Sequence, residues 1–233
     1  EWVTVSPVTG EVYITMTNNS NRGRSSNQPL DAANPRSYDG TGDGNLNGNH
    51  NGHMIRWAEA GGKHNATSFQ WDVYLFGSPN SNDVANLSKL TAANDFSSPD
   101  GLLFDPRGVL WIQTDDAAYR GTTNCMVLAA LPGKVGDGAS MKVGDVTTHM
   151  GAQQDTTKLA RFMVGPIDCE VTGIAFTPDM KSIFFNVQHP GEDSDRKKPN
   201  SNWPASQNDG FARNLPRSAT VIVTRKDGGV ILG

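Results

Sequence analysis

Three acidic residues stand at nearly the same place in three similar stretches of this sequence. Glu1 precedes Pro7 by six positions, Asp100 precedes Pro106 by six, and Glu170 precedes Pro178 by eight. Two residues is one strand period, so Glu170 is expected to point the same way as the other two. Carboxylates brought together cannot all stay charged unless a cation neutralises them. Calcium and ferric iron are hard ions that prefer such oxygen ligands. The trio therefore reads as a metal-ligand set. The plainer reading is that each acid caps a turn at a strand end, and the repeated placement argues against it. Asn18, Asn19, Asp115, Asp116 and His189 are further oxygen or nitrogen donors expected on the same face, although Asn and Asp are also ordinary loop residues.

The elements that must position these acids are three copies of one unit. Trp2-Val3-Thr4-Val5-Ser6-Pro7 leads to Val12-Tyr13-Ile14-Thr15-Met16. Gly101-Leu102-Leu103-Phe104-Asp105-Pro106 leads to Val109-Leu110-Trp111-Ile112-Gln113, and Gly173-Ile174-Ala175-Phe176-Thr177-Pro178 to Ser182-Ile183-Phe184-Phe185-Asn186. Each is an apolar strand, a turn opening on Ser, Asp or Thr before Pro, and an aromatic-rich strand; Pro presets the φ that such a turn needs. Two more strand-like runs follow each hairpin: 53–58 and 68–76, then 125–131 and 158–164, then 219–225 and 229–232. Four antiparallel strands per unit, repeated, predict an all-β chain of three four-stranded β-propeller blades; a β-sandwich is the alternative. Three blades do not close a ring, and the sequence opens on Glu1 without an initiator Met or a targeting segment. The expectation is that residues 1–233 form the C-terminal half of a single β-propeller domain whose upstream half lies outside this chain. The insertions 18–52, 115–124 and 188–217 all follow a second strand, so they should gather over one end of the propeller, where function usually sits.

Bulk properties exclude several other functions. The net charge of −4 offers no general attraction to nucleic acid. Arg196-Lys197-Lys198 reads as a solvated loop tip, and Arg56 as a structural or loop-pairing residue. No apolar run is long enough to span a bilayer. Neither a Gly-x-Ser-x-Gly elbow nor a His-Glu-x-x-His motif occurs, which leaves serine-nucleophile and zinc-protease chemistry unsupported. Cys125 and Cys169 lack the CxxC spacing of a zinc site and read as a disulfide, as two buried thiols or, last of the three, as metal ligands. Asp43-Gly44-Asn45-Leu46-Asn47-Gly48 matches the start of an EF-hand loop, but Met54 occupies the position of the required Glu, so a flexible loop is expected. Asn18-Asn19-Ser20 and Asn65-Ala66-Thr67 are glycosylation sequons, of consequence only in a eukaryotic secretory setting.

The runs Ser97-Ser98-Pro99-Asp100-Gly101, Asn124-Cys125-Met126, Cys169-Glu170-Val171-Thr172-Gly173, Gln188-His189-Pro190-Gly191-Glu192 and Arg217-Ser218-Ala219-Thr220-Val221 resemble those of the PhoX-type alkaline phosphatases. The resemblance extends over almost the whole chain. It implies a six-bladed propeller with an iron–calcium centre that hydrolyses phosphomonoesters, exported to the periplasm or beyond by the twin-arginine route. By motif, Glu1 matches the acid of an Arg-Pro-Glu-Trp element, and Asp100 and Glu170 match the Pro-Asp-Gly and Cys-Glu-Val-Thr-Gly acids. All three would be metal ligands. The Arg of the first element and the family's iron-binding cysteine would both lie upstream, so neither Cys125 nor Cys169 inherits that role. This chain alone is then expected to be inactive, with the upstream half of the same protein as its partner.

Two other readings compete. One is a calcium-dependent propeller hydrolase of lactones or phosphotriesters, for which a Pro-Asp-Gly acid would also serve. The other is a non-catalytic binding propeller with structural calcium.

Overall fold

The computed structural model describes residues 1–39, 46–82, 84–115, 122–195, 197–205 and 215–233. Its strands are β1 (Val3–Val5), β2 (Val12–Met16), β3 (His53–Glu59), β4 (Phe69–Phe76), β5 (Pro99–Phe104), β6 (Leu110–Thr114), β7 (Met126–Ala130), β8 (Ser140–Val143), β9 (Val146–His149), β10 (Leu159–Val164), β11 (Glu170–Phe176), β12 (Ser182–Gln188) and β13 (Ala219–Thr224). They form a first sheet β1-β2-β3-β4, a second β5-β6-β7-β10, a third β11-β12-β13 and a separate β8-β9 arm. The chain is all-β, and among the described residues no helix is long and apolar enough to cross a membrane.

Side chains at one position close all three leading hairpins. The Ser6 hydroxyl accepts from the backbone N–H of Val8 and Thr9, and the Asp105 carboxylate from those of Arg107 and Val109. Thr177 accepts from Ser182. Such local bonds satisfy turn amides that the ladder leaves unpaired. Gly10 and Gly108 supply the left-handed residue of the first two turns, whereas Met180 takes it in the third, at φ 57°.

The second sheet is buried on both faces, and every residue of β6 is buried. Tyr13 of β2 packs edge-on against Phe104 of β5, with ring centroids 5.1 Å apart. Leu102, Leu110, Ile112 and Leu128 complete this core beside the first sheet. On the opposite face Trp111 meets Phe162 at 4.9 Å and Phe176 of β11 at 5.6 Å. Around them Val171, Ile183, Phe185 and Val187 bring in the third sheet. The stacking places β5 between β1 and β11, so the three leading strands are neighbours.

Two expectations need correction, and the fate of the cysteines is now clear. Residues 229–232 are not a fourth strand of the third sheet. The Arg225 guanidinium bonds the carbonyls of Val230 and Gly233, and Ile231 donates to the Met180 carbonyl, so the apolar side chain is buried in a turn beneath the sheet. The β8-β9 arm was not anticipated within its polar insertion. It lies against β4, where Met141 and Met150 cover Val73 and Phe76. Cys125 and Cys169 are both buried and are not joined in a disulfide. Asp43 to Asn45 of the EF-hand-like loop, Asp116 and Arg196 lie outside the described residues.

Arg56 is structural: it forks onto Asp72 at 2.7 and 3.0 Å and reaches Asp137 at 2.6 Å, clamping the segment around Gly136 onto the first sheet. Trp111 is the largest of the fully buried side chains. Trp111→Ala in a polypeptide containing this chain should lower stability by about 3–5 kcal/mol in urea titration. Val84→Ala at an exposed site should stay within about 0.5 kcal/mol.

Candidate functional site

The second strands end, and the leading strands begin, at the same end of the stack. Thr15 is the hinge of that end. Its buried hydroxyl accepts from Trp2 N–H at 3.0 Å and donates to the Asp100 carbonyl at 2.6 Å, and its carbonyl accepts from the Glu1 amino group at 3.2 Å. One side chain of the first sheet thus fixes the backbone on which two of the acids stand.

Glycine bulges bend the other two leading strands. β5 slips register between Pro99 and Leu102, and β11 between Thr172 and Ala175. A Cβ on Gly101 would collide with the Gln113 amide, and one on Gly173 with the Asn186 amide. The bulges re-aim the residues before them, as bulges beside functional sites do. Both amide atoms of Gln113 are buried without a partner.

Asp100 is electrostatically coupled to Glu1, Glu170 and Asp115. Asp100 is half-buried, and one of its carboxyl oxygens is fully buried without a hydrogen-bond partner. Burial first, and then the charges of Glu1, Glu170 and Asp115, push its pKa up to about 7. The Glu170 carboxyl is also raised, by burial and by Asp115, while His189 works in the opposite direction. Gln188 donates to Glu170 at 2.5 Å, and the His189 ring lies 3.5 Å from the same carboxylate oxygen. His189 also lies 3.4 Å from Glu192. Asp115 is tied by its backbone to Ser98, which in turn bonds Asn51. Of the other expected donors, Asn19 bonds Gln28 and Asn21 within its own loop, and Asn18 is exposed.

An acid raised this far is one whose charge the protein alone does not balance. The donor chemistry, hard carboxylate oxygens with one orphaned and an imidazole beside them, fits a hard cation. Among the described residues, no three His, Cys, Asp or Glu side chains are grouped so that they could hold a metal ion.

Thr15, Gln113 and Gln188 were not expected to serve the site. Their signal is a polar residue at or next to the end of an otherwise apolar second strand.

The molecule is thus an all-β protein with electrostatically coupled acids around Asp100 at one end of its stacked sheets. Comparison with known proteins gives its family. The family model described as alkaline phosphatase PhoX matches residues 1–191. The chain belongs to the PhoX alkaline phosphatase family. It is similar to the solved structure of Pseudomonas fluorescens PhoX in complex with vanadate, a transition state analogue, at 35% identity and a TM-score of 0.72. The match covers 99% of this chain and 34% of that one, so the chain spans about a third of that protein's length. No curated protein matches it.

Arg36 anchors the loop after β2 to the segments before β3 and after β4. This guanidinium is fully buried and has no carboxylate among its hydrogen-bond partners. It bonds Asn49 and the carbonyls of Gly52, Gly77 and Ala85, and lies 4.4 Å over the Phe76 ring. Beside it His53 receives a bond from Asn49 and donates to the Ala33 carbonyl at 2.8 Å, which requires the neutral ring. Burial, reinforced by Arg36, pushes the His53 pKa down from 6.5 to about 3. Below pH 6.5 the unfolded chain takes up a proton that the folded chain refuses. Stability should therefore fall as the pH drops from about 6.5 toward 3, by up to about 1.4 kcal/mol per pH unit. Denaturation titrations across that window should show this slope, and His53→Asn should remove it.

Proposed function

We propose that this chain is part of a metal-dependent phosphoric monoester hydrolase, with Glu1, Asp100 and Glu170 holding its calcium and iron. The observation that carries the reading is the Asp100 carboxyl, raised by burial and by three neighbouring acids and left with an orphaned oxygen. Family membership and the likeness to a vanadate-bound phosphatase support it. When bound, such metals supply charge neutralisation at the phosphoryl oxygens and an activated oxygen nucleophile.

The chain's own residues hold and orient. Thr15 fixes the Asp100 backbone, Gln188 orients the Glu170 carboxylate, and His189 lies where it can donate to Glu170. Without cations the four acids would repel a phosphate ester, so substrate binding and metal binding are one requirement.

In the same reading the three sheets are blades forming about half of a six-bladed propeller. The contiguity of β1, β5 and β11 supports this. So does the apolar outer face of the first sheet, where Val3 and Val5 are exposed. An upstream half of the same polypeptide would cover that face and complete the centre. Export to the periplasm or beyond follows from the family resemblance and belongs to this proposal; fractionation of the native host would test it.

In the intact polypeptide, hydrolysis of p-nitrophenyl phosphate should require calcium and fall on chelation. Asp100→Asn and Glu170→Gln should each lower kcat/KM by at least about 100-fold, with bound metal falling in parallel. Residues 1–233 alone should show no turnover. Full activity and metal content in Asp100→Asn would sink the ligand assignment. Preference for a lactone or a phosphotriester over the monoester would sink the substrate class.

A further inference from the structure

The third sheet is one strand short of the other two, and its last strand is built to be paired. β13 aligns with β12 over six consecutive residue pairs, from Ser182↔Thr224 to Val187↔Ala219, without a bulge. Among the described residues no strand pairs with its other edge. Its sequence, Ala-Thr-Val-Ile-Val-Thr, holds no charge, no proline and no glycine, and all but one of its residues are β-branched. Natural edge strands are protected by charges, proline, bulges or a covering segment, because an open ladder recruits another strand. Among the described residues β13 carries none of these devices.

The other two outer strands carry them. β4 has a bulge against β3, and its far edge is covered where Val73 bridges Met150 and accepts from Gly151 N–H. β10 has a bulge and a charged residue, Arg161, which pairs with Asp95 at 2.6 Å. Nor does the chain after β13 return along its edge. Residues 226–233 turn beneath the sheet, held by Arg225 and by the bond from Ile231 to Met180.

We propose that the open edge of β13 receives a strand from the same polypeptide outside residues 1–233, completing the third sheet as a fourth strand. The matched phosphatase structure is about three times as long as this chain, which leaves ample sequence to supply it. Val221 and Val223 of β13 pack against the core shared with the second sheet. The incoming strand therefore carries apolar residues at alternate positions on that side, continuing the row, over about five or six residues. The inference rests on the reading of this chain as part of a longer phosphatase.

Hydrogen exchange at residue resolution on the intact polypeptide tests it. An edge strand bonds its neighbour through alternate amides only, whereas an inner strand engages every one. All six β13 amides should exchange on the order of 100-fold or more slowly than free amides. Alternate amides exchanging at solvent rates would overturn the proposal. A photoreactive p-benzoylphenylalanine in place of Thr220 identifies the neighbour by mass spectrometry. Capture of a segment outside residues 1–233 supports the inference; capture of residues 206–214 or of a second copy refutes it. The exchange experiment needs no substitution, so a misfolded variant would not leave the question open. Phosphatase activity measured on the same sample separates the two readings. An active enzyme with an open β13 edge loses only the added strand, and an inactive one with a protected edge loses only the proposed function.

Discussion

Like charges held within reach of one another at Asp100 are the constraint to which this fold answers. An isolated carboxylate at a strand end would ionise normally in water. Here burial and three neighbouring acids raise it to about 7. Repulsion of this kind persists only if the surrounding structure over-determines the positions of the groups. The stacked sheets do this, since β5 is fixed between β1 and β11 by cores on both of its faces.

The load is distributed through small polar ties. Thr15 spans two sheets with one hydroxyl, so a shift of β5 against β2 would break its bond to Asp100 while Trp2 holds it in place. Gly101 and Gly173 let the leading strands bulge where any side chain would strike Gln113 or Asn186. Arg36 and His53 hold the loop that reaches Ser97 and Ser98 through Asn51. Buried networks of this kind are costly when half-satisfied, and these two side chains are fully engaged.

The charge balance at Asp100 cannot be separated from the fold. Glu1, Asp100 and Glu170 come from three different sheets, so anything that completes or separates the sheets changes it. Binding of a cation there would stabilise the stack, because the ligands exist as a set only when it is folded. In the proposed phosphatase such coupling would have a use, since phosphate esters are anions that the carboxylates alone would repel.

The sequence by itself determined the parts whose causes are local. The three hairpins were legible because Ser6, Asp105 and Thr177 bond their own turns and the following prolines preset the backbone. The matched offsets of Glu1, Asp100 and Glu170 are likewise local, because strand period relates positions along one strand. Gly144-Asp145, a turn between alternating residues, marked the β8-β9 hairpin, but its short polar strands have no core signal apart from the sheet they cover. Residues 229–232 misled for the opposite reason. Their apolar run looks like a strand, yet Ile231 is buried through a long-range bond to Met180 that no local pattern encodes. Thr15, Gln113 and Arg36 likewise acquire their roles only from partners brought near by sheet stacking. What tertiary structure alone decided was the neighbourhood of Asp100, because electrostatic repulsion depends on distance through space and not on separation along the chain.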